Sequence, residues 1–519
     1  MTPDTSPNKW VVTLTVMLGT LMAALDTSIV NVAMPHMRGT LNASVEEITW
    51  VATGYMLSSV CIMPIIAFLS SRFGRKRFLI FCVGLFTATS MLCGLAWNLS
   101  SMVLFRALQG MGGGALIPIS QAILRETFPP EEHGIAMGVW GMGVVMGPVF
   151  GPTLGGWLTD NYSWPWIFYI NIPVGVLNLL LIGRYIHDPP YLVREKSRID
   201  FSGLLLMVTS LSALQIVLEK GGQEDWFESS MIVYLTALSA TAFVAFVWRE
   251  LTTRTPVVDL RILKDATFSV GTLIAGILNV GLYGSLFLLP MFVQQTLSYP
   301  AIDAGLVLMP RSLAMAVSMP FAGRIYNRVG ARPLVAIGLL FAITSFWQLS
   351  RLSLSAGVSN LILPQILQGF GFGMISVALN TVSLSQVAPA SLTAAAGLFN
   401  VIRTVLGSFG IALSATLYTH GITGYRSLLI ENVTRYREVA RIWESMLTGA
   451  MTNHGADGVT AHNMALRLLD ATVMRQASML SFNHVYVVMM ILFVLCMPLI
   501  LLLRTTRNGR SAAVELPAE

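Results

Sequence analysis

The chain has 519 residues, of which 54% are hydrophobic and only 11% charged. That balance excludes a water-soluble globular protein. The basic residues behind the net charge of +6 are scattered between apolar stretches and form no continuous basic patch of the kind nucleic acid needs. The apolar residues gather into about fourteen stretches of roughly 18–25, each long enough to cross ~30 Å of hydrocarbon as a helix, the form in which a spanning segment satisfies its own backbone.

The first stretch, 11–35, is too long for the apolar core of a cleavable signal and reads as span 1. It carries Asp26 at mid-span, within Leu25-Asp26-Thr27-Ser28-Ile29-Val30-Asn31. A carboxylate at that depth costs about 2.5–3.5 kcal/mol on insertion scales. It marks either a proton site, because desolvation favours the protonated form, or a structural carboxylate bonded to a neighbouring span. Span 2 (49–69) ends in the basic turn Ser70-Ser71-Arg72-Phe73-Gly74-Arg75-Lys76-Arg77. Anchoring by positive charge accounts for the arginines. The glycine turn and its later echo exceed that need and predict gating by Ser71, Arg72, Gly74, Arg75 and Lys76.

Span 3 covers 78–97, and span 4 (102–124) carries a second buried charge, Arg106. A guanidinium cannot release its proton, so Arg106 either tunes a nearby carboxylate, binds an anion, or is a packing residue capped by helix carbonyls. Span 5 (134–158) sets Gly143, Gly147, Gly151, Gly155 and Gly156 around Pro148 and Pro152. The four-residue interval lines glycines along one face, where another helix can approach closely, and the prolines bend the span. Span 6 is 164–186.

A central pair follows at 201–219 and 230–249. Spans 9 to 14 occupy 268–294, 302–324, 333–351, 358–384, 393–418 and 484–504. Arg403 is a buried cation in span 13, and Arg311 in span 10 reads as interfacial, near the outer face. The one long hydrophilic stretch is 419–483. Its parts 428–446 and 463–480 have apolar residues at helical spacing, which suits a membrane-surface helix, a cap or a partner site. Cys61, Cys82, Cys93 and Cys496 lie within spans and read as small packing residues. His454, His462 and His484 form no ligand set. No Walker A, HExxH, GxSxG or CxxC pattern occurs, so neither membrane-enzyme chemistry nor a bound cofactor has visible residues.

Every other connection is basic: Arg72, Arg75, Lys76 and Arg77; Arg194, Lys196 and Arg198; Arg249, Arg254, Arg261 and Lys264; Arg324, Arg328 and Arg332. The positive-inside rule puts these loops, and both termini, in the cytoplasm. The chain also repeats. Arg72-Phe73-Gly74-Arg75-Lys76 after span 2 returns as Arg328-Val329-Gly330-Ala331-Arg332 after span 10. Gln109-Gly110-Met111-Gly112 returns as Gln368-Gly369-Phe370-Gly371. The offsets are 256 and 259 residues. The organisation expected is an all-α integral membrane protein of two six-helix repeats, 1–186 and 268–519, with two extra helices within 187–267. Repeated halves with a site between them are a transporter architecture.

With these residues in view, the chain resembles the major facilitator superfamily, and within it the fourteen-span drug/proton antiporters of the EmrB/QacA type. The likeness runs from Asp26 to span 14. It is densest in Leu25 to Pro35, Arg106 to Gly114, and Gly143 through Trp166-Ile167-Phe168-Tyr169-Ile170-Asn171-Ile172-Pro173, and strongest toward the EmrB branch. The resemblance implies the major facilitator fold, proton coupling at Asp26 and Arg106, and an antiporter motif around Gly147 and Pro148. It also implies, in Gram-negative cells, joining to a periplasmic adaptor and an outer-membrane channel. Two departures stand out: Ser71 replaces the acid usual before the first arginine of the basic turn, and Ala67 replaces its leading glycine.

The expected function is proton-driven export of amphipathic or hydrophobic small molecules across the bacterial inner membrane, with the proton gradient as the energy source. The expected pocket has Tyr55, Phe287 and Phe399 as aromatic candidates and Asn31, Gln109, Gln368 and Arg403 as polar ones. A dedicated exporter of one metabolite, siderophore or fatty acid is the rival within transporters. A transport-inactive receptor or scaffold is the rival outside them.

Overall fold

The computed structural model describes residues 8–188, 200–253, 256–434 and 436–503. Arg194, Lys196, Arg198 and Arg254 lie outside the described residues. Among the described residues fourteen helices are long and apolar enough to cross a membrane. They are spans 1 (Lys9–Thr40), 2 (Glu46–Phe73), 3 (Arg75–Gly94), 4 (Leu99–Thr127), 5 (Pro130–Asn161) and 6 (Trp166–Tyr185). The extra pair are spans 7 (Phe201–Lys220) and 8 (Ser230–Thr252). Spans 9 (Ala266–Gln295), 10 (Gly305–Val329), 11 (Ala331–Leu349), 12 (Val358–Ser383), 13 (Leu392–Ile430) and 14 (Gly458–Leu502) complete the chain.

Several helix starts are fixed by side-chain caps. Asn98 Oδ1 accepts from Ser101 N at 2.8 Å, Asp265 Oδ1 from Phe268 N at 2.7 Å, and Asp457 Oδ2 from Val459 N at 3.2 Å. Spans 2 and 10 both stop at a glycine with positive φ, Gly74 at 89° and Gly330 at 82°. That conformation favours glycine, and it returns the chain into the next span without a linker. Spans 13 and 14 outrun the apolar segments expected from sequence. Their helices continue into 419–483, where a short helix, Glu438–Asn453, joins them. Apolar counting finds the lipid-embedded length of a helix, whereas backbone hydrogen bonding carries the helix on into water.

Small residues set the packing. A Cβ at Gly147 would stand 2.6 Å from that of Ala24, and one at Gly151 2.5 Å from that of Ser28, so span 5 lies against span 1 through its glycine face. Span 4 approaches span 2 at Gly110 and span 3 at Gly112; span 12 approaches span 10 at Gly369 and span 11 at Gly371 in the same manner. The sequence echo is thus a packing echo.

The two halves meet at the end that carries the basic turns. Gly134 of span 5 faces the Gly323 carbonyl of span 10, and Gly397 of span 13 faces the Met63 carbonyl of span 2. Arg125 Nη1 donates to Thr381 O at 2.8 Å, Asn400 Nδ2 to Gln121 Oε1 at 2.7 Å, and Gln121 Nε2 to Asn380 Oδ1 at 3.3 Å. Span 7 lies along the seam and is bonded to both sides. Glu219 accepts from Thr53 Oγ1 at 2.6 Å, and Gln215 Nε2 donates to Ser408 Oγ at 2.8 Å. Span 8 packs on span 7 through Ser239, which donates to Ser210 O at 3.0 Å.

The glycine face generates a stability prediction. Gly147→Leu should force spans 1 and 5 apart and lower the melting temperature of the detergent-purified protein. Gly156→Leu, with nothing within 4 Å of its would-be Cβ, should not. Equal melting temperatures for both variants would mean that the close approach does not hold the spans together.

A second prediction concerns the start of span 7. Asp200 caps it and binds Arg249 Nε of span 8 at 2.9 Å, and that bond holds the carboxyl down at about 2. A depressed carboxylate contributes stability that is complete above its ordinary range near about 4 and is lost only as pH falls through its folded value. Moving from pH 8 to pH 5 is therefore expected to leave this clip intact. Asp200→Ala should lower hydrogen-exchange protection factors at the adjoining ends of spans 7 and 8 at both pH values. A lower protection factor in the unmutated protein at pH 5 than at pH 8 would contradict the assignment.

Candidate functional site

The two buried charges of the first half meet. Asp26 and Arg106 are 0% and 1% exposed, and Arg106 Nη1 donates to Asp26 Oδ2 at 2.5 Å. Oδ1 of the same carboxylate accepts from Gln109 Nε2 at 2.9 Å and from Asn171 Nδ2 at 3.1 Å. Arg106 also donates from Nη1 to Gln109 Oε1 at 2.8 Å and from Nε to Val51 O at 3.1 Å, and lies over the Tyr55 ring at 4.3 Å. Asn171 is held by Ser90 Oγ at 3.1 Å, and Ser90 donates to Phe168 O at 2.9 Å. Spans 1, 2, 3, 4 and 6 therefore converge on one carboxylate.

Local sequence makes the convergence possible. Arg106 and Gln109 are three residues apart on span 4, so they share a face, and Gly110 beside them lets span 2 approach. All three side-chain donors around Asp26 serve the ionised form, and the buried cation neutralises it. Removing one partner of such a pair leaves an uncompensated buried charge, at about 3–5 kcal/mol. The arrangement holds the carboxylate and the guanidinium together out of water, and neither can leave without breaking several of these bonds.

The basic turn 70–77 is tied down at the end where the two halves meet. Arg75 binds Glu126 of span 4 and donates from Nη2 to Thr393 Oγ1 of span 13 at 3.1 Å. Lys76 donates from N to Asp188 Oδ1 at 2.7 Å and from Nζ to Gly183 O at 2.6 Å. Ser71, standing where resembling proteins have an acid, spends its hydroxyl on Phe68 O at 2.9 Å. The acids that meet this turn come from elsewhere, Glu126 of span 4 and Asp188 past span 6. Nothing in the sequence marked Glu126, which sits where an ordinary interfacial acid would.

The expected pocket residues fall into different settings. Tyr55 and Gln109 belong to the Asp26 cluster. Phe399 is fully buried with Arg403 5.3 Å above its ring, and Arg403 donates to Asn380 Oδ1 at 3.2 Å. Asn31 and Phe287 are exposed. Gln368 accepts from Arg311 Nη1 at 3.3 Å. Arg311 corrects the sequence reading: it is 2% exposed and sealed among spans 9, 10, 12 and 14, because Ser285, Gln368 and Tyr486 close around it. Sequence reasoning also gave no role to Asn171 and Ser90. Asn171 offered a signal, a polar residue opening an otherwise apolar span; Ser90 offered none.

Comparison with known proteins agrees with this geometry. Residues 16–411 match the Major Facilitator Superfamily. The chain is 35% identical over 430 residues to "Multidrug export protein EmrB" of Haemophilus influenzae, covering 83% of this chain and 84% of that one. It is 34% identical over 492 residues to "Fatty acid resistance protein FarB" of Neisseria gonorrhoeae, covering 94% and 95%. A crystal structure of the human organic anion transporter MFSD10 superimposes with a TM-score of 0.60, covering 94% of this chain and 100% of that one; at 15% identity that likeness shows the fold alone. The helical repeat, the fourteen spans and these relatives together place the chain in the major facilitator superfamily: it is a multi-pass membrane transporter, related to bacterial multidrug export and fatty acid resistance proteins, and not an enzyme.

Proposed function

We propose that this transporter exchanges protons for amphipathic small molecules and exports them across the bacterial inner membrane by rocking its two halves, 1–186 and 268–519. The observation that carries the reading is the dry Asp26–Arg106 pair held by five spans. Protonating Asp26 removes the partner that offsets the cost of burying Arg106, so proton binding and helix rearrangement are linked. One charge moved across 100 mV is worth about 2.3 kcal/mol, enough to support a sizeable concentration ratio. With the basic turns cytoplasmic, the seal at Gly134–Gly323, Gly397–Met63 and Arg75–Thr393 makes this conformation the one closed to the cytoplasm. The glycine face of span 5, formed by Gly143, Gly147, Gly151 and Gly155, serves as the antiporter motif, with Gly156 beside it. Similarity to FarB over 94% of the chain favours a second reading, a dedicated exporter of fatty-acid-like molecules.

The helices of 419–483 carry exposed Val439, Ile442, Trp443 and Met446 on Glu438–Asn453. His462 meets Glu444 at 3.3 Å, and Arg426 meets Asp470 at 2.8 Å, which hold the short helix and the span extensions together. This exposed apolar face, with the similarity to EmrB, supports docking of a periplasmic adaptor in a three-part pump.

Proteoliposomes with an imposed pH gradient test the coupling. Asp26→Asn is expected to abolish gradient-driven ethidium export while the protein inserts normally. Arg106→Lys keeps the charge but loses the fork that reaches Asp26 and Val51 together, and should cost roughly tenfold in rate, about 1.4 kcal/mol. Full export by the Asn variant would refute the proton assignment, and parallel assays with a range of amphipaths separate multidrug from dedicated export.

Replacing Glu438–Asn453 by a flexible linker should lower drug resistance in cells more than it lowers transport in proteoliposomes. Equal losses in both assays would make the segment part of the transporter's own gating instead.

A further inference from the structure

The second half repeats the architecture around Asp26 but not its charges. At Gly110 the carbonyl facing a would-be Cβ, 2.3 Å away, belongs to Tyr55; at Gly369 the one 2.2 Å away belongs to Arg311. Arg311 therefore occupies in span 10 the place that Tyr55 occupies in span 2. Ser285 of span 9 meets Gln368 as Asp26 of span 1 meets Gln109, and Gln365 stands three residues before Gln368 as Arg106 stands before Gln109. The cation has changed helix, and the carboxylate has become a hydroxyl.

The consequence is a buried positive charge without an internal counterion. Arg311 donates from Nη1 to Gln368 Oε1 at 3.3 Å and to Ser285 Oγ at 3.5 Å. Its Nε and Nη2 make no hydrogen bond, and no Asp or Glu pairs with it, among the described residues. Gln365 is wholly buried, and neither atom of its amide finds a partner. Ser285 also lies 3.1 Å from Tyr486 Oη. A guanidinium stays charged at any working pH, and an unpaired one at this depth is costly. The groups around it offer N–H and O–H donors in excess. Beside them stands an aromatic wall: the Tyr486 ring lies 4.7 Å from Phe482 and 5.9 Å from Phe346.

We propose that Arg311, with Gln365, Gln368 and Ser285, forms a site for the carboxylate head of an amphipathic organic acid, its apolar body lying toward the aromatic wall. This rests on the efflux reading and names a substrate class for it. A carboxylate supplies the missing charge, takes the planar fork of the guanidinium and engages the free Gln365 amide. Ser285 closes the site here through bonds to Tyr486 at 3.1 Å, Gln368 at 3.3 Å and Arg311 at 3.5 Å, so a carboxylate enters as span 9 moves aside. The first half then carries the proton and the second half the anion.

Binding of radiolabelled dodecanoate to purified full-length protein at pH 8 tests this, with ethidium as the cationic amphipath. Arg311→Gln should weaken dodecanoate binding by about tenfold or more and leave ethidium binding unchanged. Ser285→Asp should block dodecanoate equally, because it rebuilds within the second half the ion pair of the first; it also keeps Arg311 neutralised should the Gln variant fail to fold. Dodecanoate binding that is absent from the unmutated protein, or unaltered in both variants, would overturn the proposal. So would displacement of dodecanoate by chloride at equal concentration, which would make the site one for inorganic anions. Gradient-driven ethidium export and its loss in Asp26→Asn are read on the same preparations. If that export persists while dodecanoate binding ignores Arg311, the efflux reading stands and the anion site falls.

Discussion

The structure depends on keeping one ion pair out of water. Asp26 and Arg106 are each too costly to bury alone, and together they remain affordable only while every donor and acceptor around them is used. Gln109 and Asn171 fill one carboxylate oxygen, Val51 O takes the guanidinium Nε, and the Tyr55 ring covers the guanidinium face. These partners come from spans 2, 4 and 6, and Ser90 of span 3 holds Asn171 in turn. Any change at Asp26 is therefore felt by most of the first half at once, which is the property that the proposed proton coupling would use.

Bringing that many helices to one point demands close backbones. The glycines of span 4 do this in the first half, and those of span 12 do it in the second. Because the glycines and the glutamine before them are retained at one offset while Tyr55 and Arg106 are not, the repeat has kept its packing and divided its chemistry. A neutral pair sits in one half and an unpaired cation in the other. Such a division is hard to explain as packing, since Gln365 gains nothing from burial with both amide atoms unused.

How much of this the sequence disclosed follows from cost. Charges inside apolar runs stand out, so Asp26 and Arg106 were legible, and the glycine interval of span 5 announced close packing against another helix. Spans were found because lipid demands a minimum apolar length, although the ends of spans 13 and 14 were not, since helices continue past the lipid. Neutral amides and hydroxyls such as Asn171 and Ser90 hardly disturb an apolar run and left little trace. Arg311 was misjudged because depth along one span says nothing about which neighbours close over it; Ser285, Gln368 and Tyr486 come from three other helices. Glu126 looked like an interfacial acid until Arg75 was seen beside it.

The extra spans bear on how the halves can move. Span 7 is bonded to span 2 through Thr53 and Glu219 and to span 13 through Gln215 and Ser408, one on each side of the seam. Trp226, just past span 7, donates to Thr416 Oγ1 of span 13 at 2.8 Å. Rocking that parts spans 2 and 13 must break one of these sets. Each such bond is worth about 0.5–1.5 kcal/mol net, so neither set is a barrier by itself. Span 2 holds the larger set: Lys220 Nζ also donates to Thr49 Oγ1 at 3.0 Å and to Glu46 O at 3.4 Å, and Cys61 Sγ lies 3.4 Å from Ser212 Oγ. Fewer bonds therefore break if span 7 stays with the first half, and the ties of Gln215 to Ser408 and of Trp226 to Thr416 are the ones that rocking would strain.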